Sequence, residues 1–343
     1  MQLNDEREQR MKKISGTLAA ATCTLLGQAA LAAPPGDADW RMDTSVLYYS
    51  EQDRVTAVEP VVRAKRRFDD ESELELKLVL DSLTGASHNG ALVSDDAVQT
   101  FTTPSGGSEY TARPGEVALD DSFKDTRVQA NAQYTRPINR TLRWTGGIGY
   151  SSEYDFQALT ANAGILKDFN QKNTTVNFSL GYESDTIDPV GGVPDGLTLQ
   201  TNEFKDDTTE SRSTTDVLLG LTQVMSRRWL MQLNYNLSTS SGYHSDPYKL
   251  LTLVDANGVP REAEAVDSGT TSIGPGDAQI FEQRPDSRTR HALFWENRYH
   301  LDRDVVTMSY RYMVDDWGVD SHTLDLRYRW KLGDRWYLQP HVR

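Results

Sequence analysis

Strict alternation of apolar and polar residues marks several long segments of the chain. Residues 74–80, 128–134, 176–182 and 324–332 place an apolar side chain at every second position. A period of two predicts β-strands with one apolar and one polar face. Short turns alternate with much longer polar connections between such segments. This pattern is typical of outer-membrane β-barrels, which face lipid outside and water inside and have short periplasmic turns and long external loops.

Thirteen strands are predicted, and most reach the nine to eleven residues that a tilted strand needs to cross a bilayer. They are 41–50, 58–67, 73–82, 124–136, 141–152, 155–167, 173–184, 214–225, 229–239, 288–300, 304–314, 320–332 and 336–343. The connections at one end are 68–72, 137–140, 168–172, 226–228, 302–303 and 333–335, and the long connections at the other end are 83–123, 185–213 and 240–287. A soluble, exported β-rich protein is the alternative, but it gives no reason for long and short connections to segregate.

The strand count bears on the completeness of the barrel. Thirteen is odd, whereas bacterial single-chain barrels have even strand numbers. We therefore predict an all-β fold, an antiparallel transmembrane β-barrel of about 14 strands. This chain is expected to be truncated at its C-terminus, which leaves an open barrel with edges at 41–50 and 336–343.

The first 32 residues resemble an export signal. A basic start after Met11, an Ala- and Leu-rich stretch and the small-x-small sequence Ala30–Ala32 predict a signal peptide over 1–32. Translation is expected to begin at residue 11, because the ten residues before it are acidic, and 33–343 is expected to form the barrel. Acylation of Cys23 as a lipoprotein is the alternative.

Composition excludes several functions. A net charge of −14 argues against nucleic-acid binding, which needs a basic surface. The mean hydropathy is −0.60, and no run of eighteen apolar residues is present, so helical membrane spans are excluded. One cysteine permits neither a disulfide nor a cysteine zinc site. No catalytic motif is found and the six histidines are dispersed, so we expect no enzyme, no cofactor and no metal.

The segment Asp81–Ala91 stands out because it leaves a predicted strand in a dense run of Ser, Thr, Asn and Gly. Such residues favour a tight loop with inward-turned backbone N–H groups, and the alternative is a turn-rich start to an external loop. The candidate functional residues of this motif are Asp81, Ser82, Leu83, Thr84, Gly85, Ala86, Ser87, Asn89 and Gly90.

The segment D-S-L-T-G-A-S-x-N-G-A resembles the signature of an uncharacterised bacterial family, a domain-of-unknown-function group of predicted outer-membrane β-barrels. Residues 168–175, 189–196, 310–318 and 335–341 are also similar to that family. The resemblance implies a barrel without a settled activity. It also implies a periplasmic redox or maturation setting, because members lie near genes for a flavin-attaching transferase and a thioredoxin-like protein.

Charge separates between the predicted lumen and the loops. Positions opposite the apolar face are the candidate lumen-lining residues Arg63, Lys65, Arg67, Glu73, Glu75, Lys77, Arg127, Arg143, Arg298, Arg311, Arg327 and Arg329. Basic residues outnumber acidic ones there, whereas the long loops are acidic and include Asp185. One hypothesis is a pore with a basic wall that favours anions, and the other is a wall of salt bridges below solvated loops.

Two functions from different classes follow. The first is a channel or export conduit in the bacterial outer membrane, with the lipid bilayer around it and small ions or solutes inside. Barrels of this size leave room for water, whereas eight-stranded ones are filled by side chains. The alternative is a structural or docking barrel, with its lumen closed by the long loops and a periplasmic protein as its partner.

Overall fold

The computed structural model describes residues 40–51, 55–94, 98–102, 109–200, 202–254, 256–257, 279–333 and 336–343. The predicted signal peptide lies outside these residues. In chain order the strands are β1 (Trp40–Ser50), β2 (Val55–Arg67), β3 (Glu73–His88), β4 (Gln99–Thr102), β5 (Glu109–Ala112), β6 (Leu119–Asn139), β7 (Leu142–Ser152), β8 (Phe156–Phe169), β9 (Thr174–Ile187), β10 (Val193–Pro194), β11 (Lys205–Asp206), β12 (Glu210–Ser226), β13 (Trp229–Gly242), β14 (Leu250–Thr252), β15 (Gln279–Phe281), β16 (Ser287–His300), β17 (Val305–Asp315), β18 (Asp320–Lys331), β19 (Tyr337–Leu338) and β20 (His341–Val342).

A single 14-stranded antiparallel sheet forms the body of the molecule. Its order is β1-β2-β3-β6-β7-β8-β9-β12-β13-β16-β17-β18-β19, and β20 also pairs with β18. All thirteen predicted strands are therefore confirmed in their predicted order. The last predicted strand, 336–343, is two short strands instead of one, because Pro340 between them has no N–H for the ladder.

The two edges of the sheet are those predicted. Each long strand of the sheet pairs with the next long strand along the chain, from β1 with β2 to β17 with β18. Within the described parts of the chain, no pairing joins β1 to β19 or β20. The short turns thus lie at one end of the sheet, the short-turn end, and the three long connections at the other, the long-loop end.

Several strands are longer than predicted at the long-loop end. β3 continues to His88 and β6 begins at Leu119, so the predicted boundaries at residues 82 and 124 are wrong by several residues. β9 likewise ends at Ile187, and β12 begins at Glu210. The hydrogen-bonded ladder continues through polar residues beyond the alternating segments. Alternation records lipid contact, and it stops where the strands leave the apolar zone even though pairing does not.

The outward face of the sheet is suited to lipid. The pairing register places Leu78 beside Val62 and Ala130, and Ala130 beside Tyr150, all on one face. Leu78 is 43% exposed, and most large apolar side chains of this face are also exposed. Among the described residues of the long strands, leaving out residues 119–123, this face has one carboxylate, Asp320, which lies at a strand end. A charge at mid-bilayer costs about 2–4 kcal/mol, which explains this composition.

Within the described residues, none of the helices has both the length and the apolar character to traverse a membrane.

Candidate functional site

The inward face of the sheet carries the predicted lumen residues, and most of its basic side chains are paired. The pairs are Arg63–Asp43 (3.2 Å), Lys65–Glu73 (3.3 Å), Lys65–Glu75 (2.6 Å), Arg127–Asp81 (2.9 Å), Arg143–Asp168 (3.2 Å), Arg298–Glu296 (3.6 Å) and Arg327–Asp325 (3.0 Å). These partners lie on adjoining strands or two positions apart on one strand. The inward wall is therefore extensively salt-bridged, as the second charge hypothesis expects.

Four predicted lumen cations have no carboxylate partner among the described residues. Arg67 is exposed at the end of β2, and Lys77 and Arg311 face inward from β3 and β17. Arg329 donates to Gln339 Oε1 at 3.0 Å and lies over the Tyr337 ring. No ion pair within 4.0 Å is found for these four among the described residues. They are the part of the wall that retains uncompensated positive charge.

Uncharged amides line another stretch of the inward face, between β6 and β13. Gln133 and Asn162 lie against Gly147, and Asn177 lies over Gly220. A Cβ atom at either glycine would overlap these amide side chains. The glycines thus make room for Asn and Gln to cover the wall and present hydrogen-bonding groups to the interior.

A second charged cluster was missed by the sequence reasoning. Asp185, predicted to lie in a solvated loop, is instead in β9, 1% exposed and paired with Arg212 at 2.7 Å. Nearby, Arg288 binds Asp315 through Nε at 2.8 Å and through a second, shorter contact. Apolar–polar alternation stops before this segment, and the signal that could have revealed the strand is the pair of β-branched residues Thr186 and Ile187.

The three long connections meet at the long-loop end. We call their described residues between 89–118, 188–209 and 243–286 the loop cap. Backbone hydrogen bonds join them directly: Leu250 N to Asn89 O is 2.8 Å, and Leu197 N to Phe281 O is 3.0 Å. Three hairpins, β4–β5, β10–β11 and β14–β15, stiffen the loop cap. The sequence did not predict these hairpins, because two of them have strands of only two or three residues.

The loop cap has its own apolar core. Its buried members are Ala91, Phe101, Ala112, Ala118, Leu250 and Phe281. The Tyr110 ring packs on Phe101 with 5.4 Å between ring centroids. Full burial of one Phe or Leu side chain contributes about 1.5–3 kcal/mol. The prediction of simply solvated loops is therefore wrong for these segments, which fold against each other.

The motif Asp81–Ala91 connects the wall to the loop cap. Asp81 is the inward ion-pair partner of Arg127, and the Thr84 hydroxyl bonds to the Thr56 carbonyl at 3.4 Å. The residues through 88 belong to β3, so the prediction that they form a loop is wrong. A register shift occurs between Gly85 and Ser87, around Ala86, while Ser82 and Leu83 continue the ladder.

The last residues of the motif are the attachment point of the third loop. The Asn89 side chain is buried, donating to Tyr110 OH and accepting from Ala91 N, both at 2.9 Å. Gly90 has φ of +94°, and a Cβ there would lie 2.8 Å from the Leu250 carbonyl oxygen. Backbone at this point thus approaches backbone as closely as only glycine allows.

A small cleft lies within the loop cap. Its lining includes Asn89, Gln200, Lys205, Tyr248 and Phe281. Burial lowers the pKa of Lys205, whose Nζ lies 5.4 Å from the Phe281 ring centroid. Burial also raises the pKa of Tyr248, which donates to Asp155 at 2.5 Å. The cleft is lined by both polar and apolar side chains.

Metal ligands do not converge in the parts of the chain that the structure describes. No group of three His, Cys, Asp or Glu side chains there could hold a metal ion. The expectations of no cofactor and no enzyme activity stay predictions.

Comparison with solved structures finds likenesses to outer-membrane proteins at low similarity. A mutant ferric enterobactin receptor (PfeA) of Pseudomonas aeruginosa, solved with enterobactin, shares 9% identity, with 89% of this chain and 44% of that chain covered and a TM-score of 0.43. For the ferric-catecholate import receptor Fiu of E. coli K12 the values are 11%, 86%, 56% and 0.38, and for the NanC porin 11%, 83%, 97% and 0.32. This chain spans less than half the length of the enterobactin receptor.

Comparison with curated proteins gives no match. A family model matches residues 15–343, almost the whole chain. Its description is "Protein of unknown function (DUF3570)". That match does not test whether Asp81–Ala91 is the family's signature. Because the matched residues cover almost the whole chain, the chain belongs to the DUF3570 family.

Proposed function

We propose that this barrel is a water-filled channel of the bacterial outer membrane for small hydrophilic solutes, with one mouth narrowed by the loop cap. The observation that carries the proposal is an inward face that is mostly polar, opposite a face suited to lipid. Inward residues of every long strand belong to it, including Lys77, Asn131, Thr160, Asn177 and Gln232. A wall of this composition is what an aqueous lumen requires.

Solvent exposure of the wall supports an aqueous interior. Asn131, Gln133 and Asn177 are partly exposed, and Asn162 is exposed, although all four point inward. A lumen filled by side chains would bury such amides and require each to find a partner. Conduction requires no catalytic residue and no cofactor.

The docking barrel is the second candidate, and the loop cap favours it. A cap with its own apolar core could close the lumen permanently and leave only a surface for a periplasmic protein. The two functions differ in one measurable respect. A channel conducts or can be made to conduct when the loop cap is loosened, whereas a permanently closed barrel does not conduct at all.

The test is conductance of the closed, full-length barrel in planar bilayers, with a matched pair of loop-cap variants. Leu250→Asp places a carboxylate in the apolar core, where Leu250 is 5% exposed. Leu251→Asp places the same charge on the same strand at a side chain that is 44% exposed. Burying an unpaired charge is costly, so only the first variant should release the third loop.

We expect Leu250→Asp to conduct more, or to close less often, than the parent chain, and Leu251→Asp to behave like the parent. A heat-shifted band on electrophoresis verifies that each variant is folded. Folded protein that never conducts, even with Leu250→Asp, would contradict the channel and support the docking barrel.

A further inference from the structure

A cationic and aromatic patch lies on the outward face at the short-turn end. We define the outward patch as Trp40, Arg66, Phe68, Arg136, Trp144 and Lys167. Trp40 pairs with Arg66 across β1 and β2, Arg136 pairs with Trp144 across β6 and β7, and Lys167 pairs with Leu142 across β7 and β8. The three cations therefore stand on the face suited to lipid, on every second strand of the order β2-β3-β6-β7-β8.

Arg66 is held by aromatic rings and not by a carboxylate. Its guanidinium carbon lies 5.9 Å from the Trp40 ring centroid and 5.1 Å from that of Phe68. Its Nε is buried and, among the described residues, has no hydrogen-bond partner. Cation–π contacts stabilise the charge without neutralising it, so the N–H groups remain able to bind an anion.

The other two cations are also incompletely neutralised. Arg136 lies 3.7 Å from Asp70, and both side chains are at least half exposed, a geometry in which ion pairs contribute little. Lys167 donates to the Thr141 hydroxyl at 2.9 Å, which leaves its charge uncompensated. The outward patch thus retains positive charge beside apolar residues of the same face, such as Leu74 and Ile165.

The position of the outward patch identifies its partner. Leu74 pairs directly with Arg66, and Leu76 lies two residues closer to the centre of the sheet on the same face. Ile165 likewise lies two residues closer to the centre than Lys167. Trp, Arg and Lys at this boundary sit at headgroup level, where their apolar parts meet acyl chains and their polar tips meet phosphates. Arg66 and Arg136 are two strands apart, a spacing of about 10 Å across the sheet. One lipid headgroup and the headgroups beside it can therefore contact both side chains.

We propose that the outward patch binds the headgroup of an anionic phospholipid in the leaflet at the short-turn end. The phosphate would accept hydrogen bonds from Arg66, with Arg136 and Lys167 supplying further positive charge. The acyl chains would lie on the adjoining leucines and Ile165. A protein partner is disfavoured because the outward patch is continuous with the lipid face.

The test uses the full chain in detergent micelles with an equimolar mixture of phosphatidylglycerol and phosphatidylcholine, and native mass spectrometry counts the retained lipids. We expect phosphatidylglycerol to be retained in preference. The triple variant Arg66→Gln, Arg136→Gln, Lys167→Gln should lose this preference, by about 5-fold for each cation removed. The control Arg140→Gln, Arg227→Gln, Arg303→Gln removes equal charge from the turns at the same end and should keep the preference.

Several outcomes would overturn the proposal. They are equal retention of both phospholipids by the parent chain, and an equal loss in the control, which would indicate diffuse electrostatics. Stronger retention of added lipid A than of phosphatidylglycerol would assign the outward patch to the other leaflet. If the triple variant does not fold, Arg66→Gln and Arg66→Lys are compared, and only the glutamine variant should lose lipid.

Discussion

The environment of each side chain in this sheet depends on which face the residue occupies. Leu78 and Lys77 are neighbours in sequence, yet one meets lipid and the other meets the interior, because side chains alternate along a strand. A substitution is therefore judged by its face and by its depth. An arginine that pairs with a carboxylate on the inward wall would destabilise the fold if it stood at the next position near mid-bilayer, because it would then face lipid.

The first prediction concerns the depth of the lipid face. Leu78→Arg places a charge near mid-bilayer and should destabilise the folded barrel by about 2–4 kcal/mol. Leu74→Arg, four residues nearer the short-turn end on the same face, should cost about 0–1 kcal/mol. Urea unfolding in phospholipid vesicles measures both. Equal and small effects at the two positions would show that β3 does not face lipid.

The second prediction is a pH dependence of the loop cap. Burial lowers the pKa of His244 below its ordinary value of 6.5, and the nearby Arg212 and Arg288 act in the same direction. Between the two pKa values the folded state binds fewer protons than the unfolded state. The contribution of neutral His244 to stability is therefore complete above the ordinary pKa and is lost as the pH falls below it.

Limited proteolysis within 240–287 measures this effect. Cleavage should be faster at about pH 5 than at about pH 7.5, the range over which histidine titrates. His244→Gln keeps an amide oxygen that can accept from Ser240 Oγ, as the neutral imidazole Nε2 does at 2.7 Å, and its amide cannot be protonated. Its cleavage rate should not depend on pH in this way. An unchanged pH dependence in His244→Gln would assign the effect to another group.

At the scale of elements, strands were predictable and loop structure was not. The alternation in 74–80 and 176–182 predicts strands correctly, because lipid on one side and water on the other leave a direct record in sequence. The loop cap leaves none, since its core is assembled from residues far apart, such as Ala91 and Leu250. Asp185 was misplaced for the same reason, because its burial depends on Arg212 from another strand.

The candidate site was predicted only in part. The inward position of Lys65 and Arg127 follows from alternation alone, but their partners Glu75 and Asp81 follow from the strand register. Register is set by the pairing of whole strands, and a shift of one residue would move every side chain of a strand to the opposite face. The role of Gly90 required the backbone contact with Leu250 and was inaccessible to pattern reasoning.

The third prediction tests the orientation of the elements. Single cysteines replacing Leu197 or Leu253 in the loop cap, both exposed, should react with a membrane-impermeant maleimide on intact cells. Cysteines replacing Arg140 or Arg227 in the short turns should react only after the outer membrane is permeabilised. Cys23 is replaced by serine in all variants so that it does not contribute. Labelling of the turns but not of the loop cap would invert the topology.

At the scale of the whole molecule, charge is distributed between two surfaces that serve different solvents. The lipid face carries few charges, and those of the outward patch and Asp320 lie near strand ends, while the inward wall gathers acids and bases in pairs. Paired walls focus less field than walls of one sign. The basic excess expected from sequence is thereby reduced, because inward acids such as Asp168 and Asp185 were not counted in it.

The last prediction concerns the ion selectivity of the whole molecule as the proposed channel. A wall of one sign raises counter-ion concentration 10-fold or more, so this paired wall should give an anion preference below about 10-fold. Arg311 faces inward without a carboxylate partner in the described chain, and Arg311→Gln should reduce the preference, whereas Arg140→Gln in a turn should change it less. Arg327→Glu with Arg329→Glu should shift selectivity toward cations, because both share the inward face. Reversal potentials under a KCl gradient measure each effect, and a cation preference in the parent chain would show that the acids, not the bases, control the lumen.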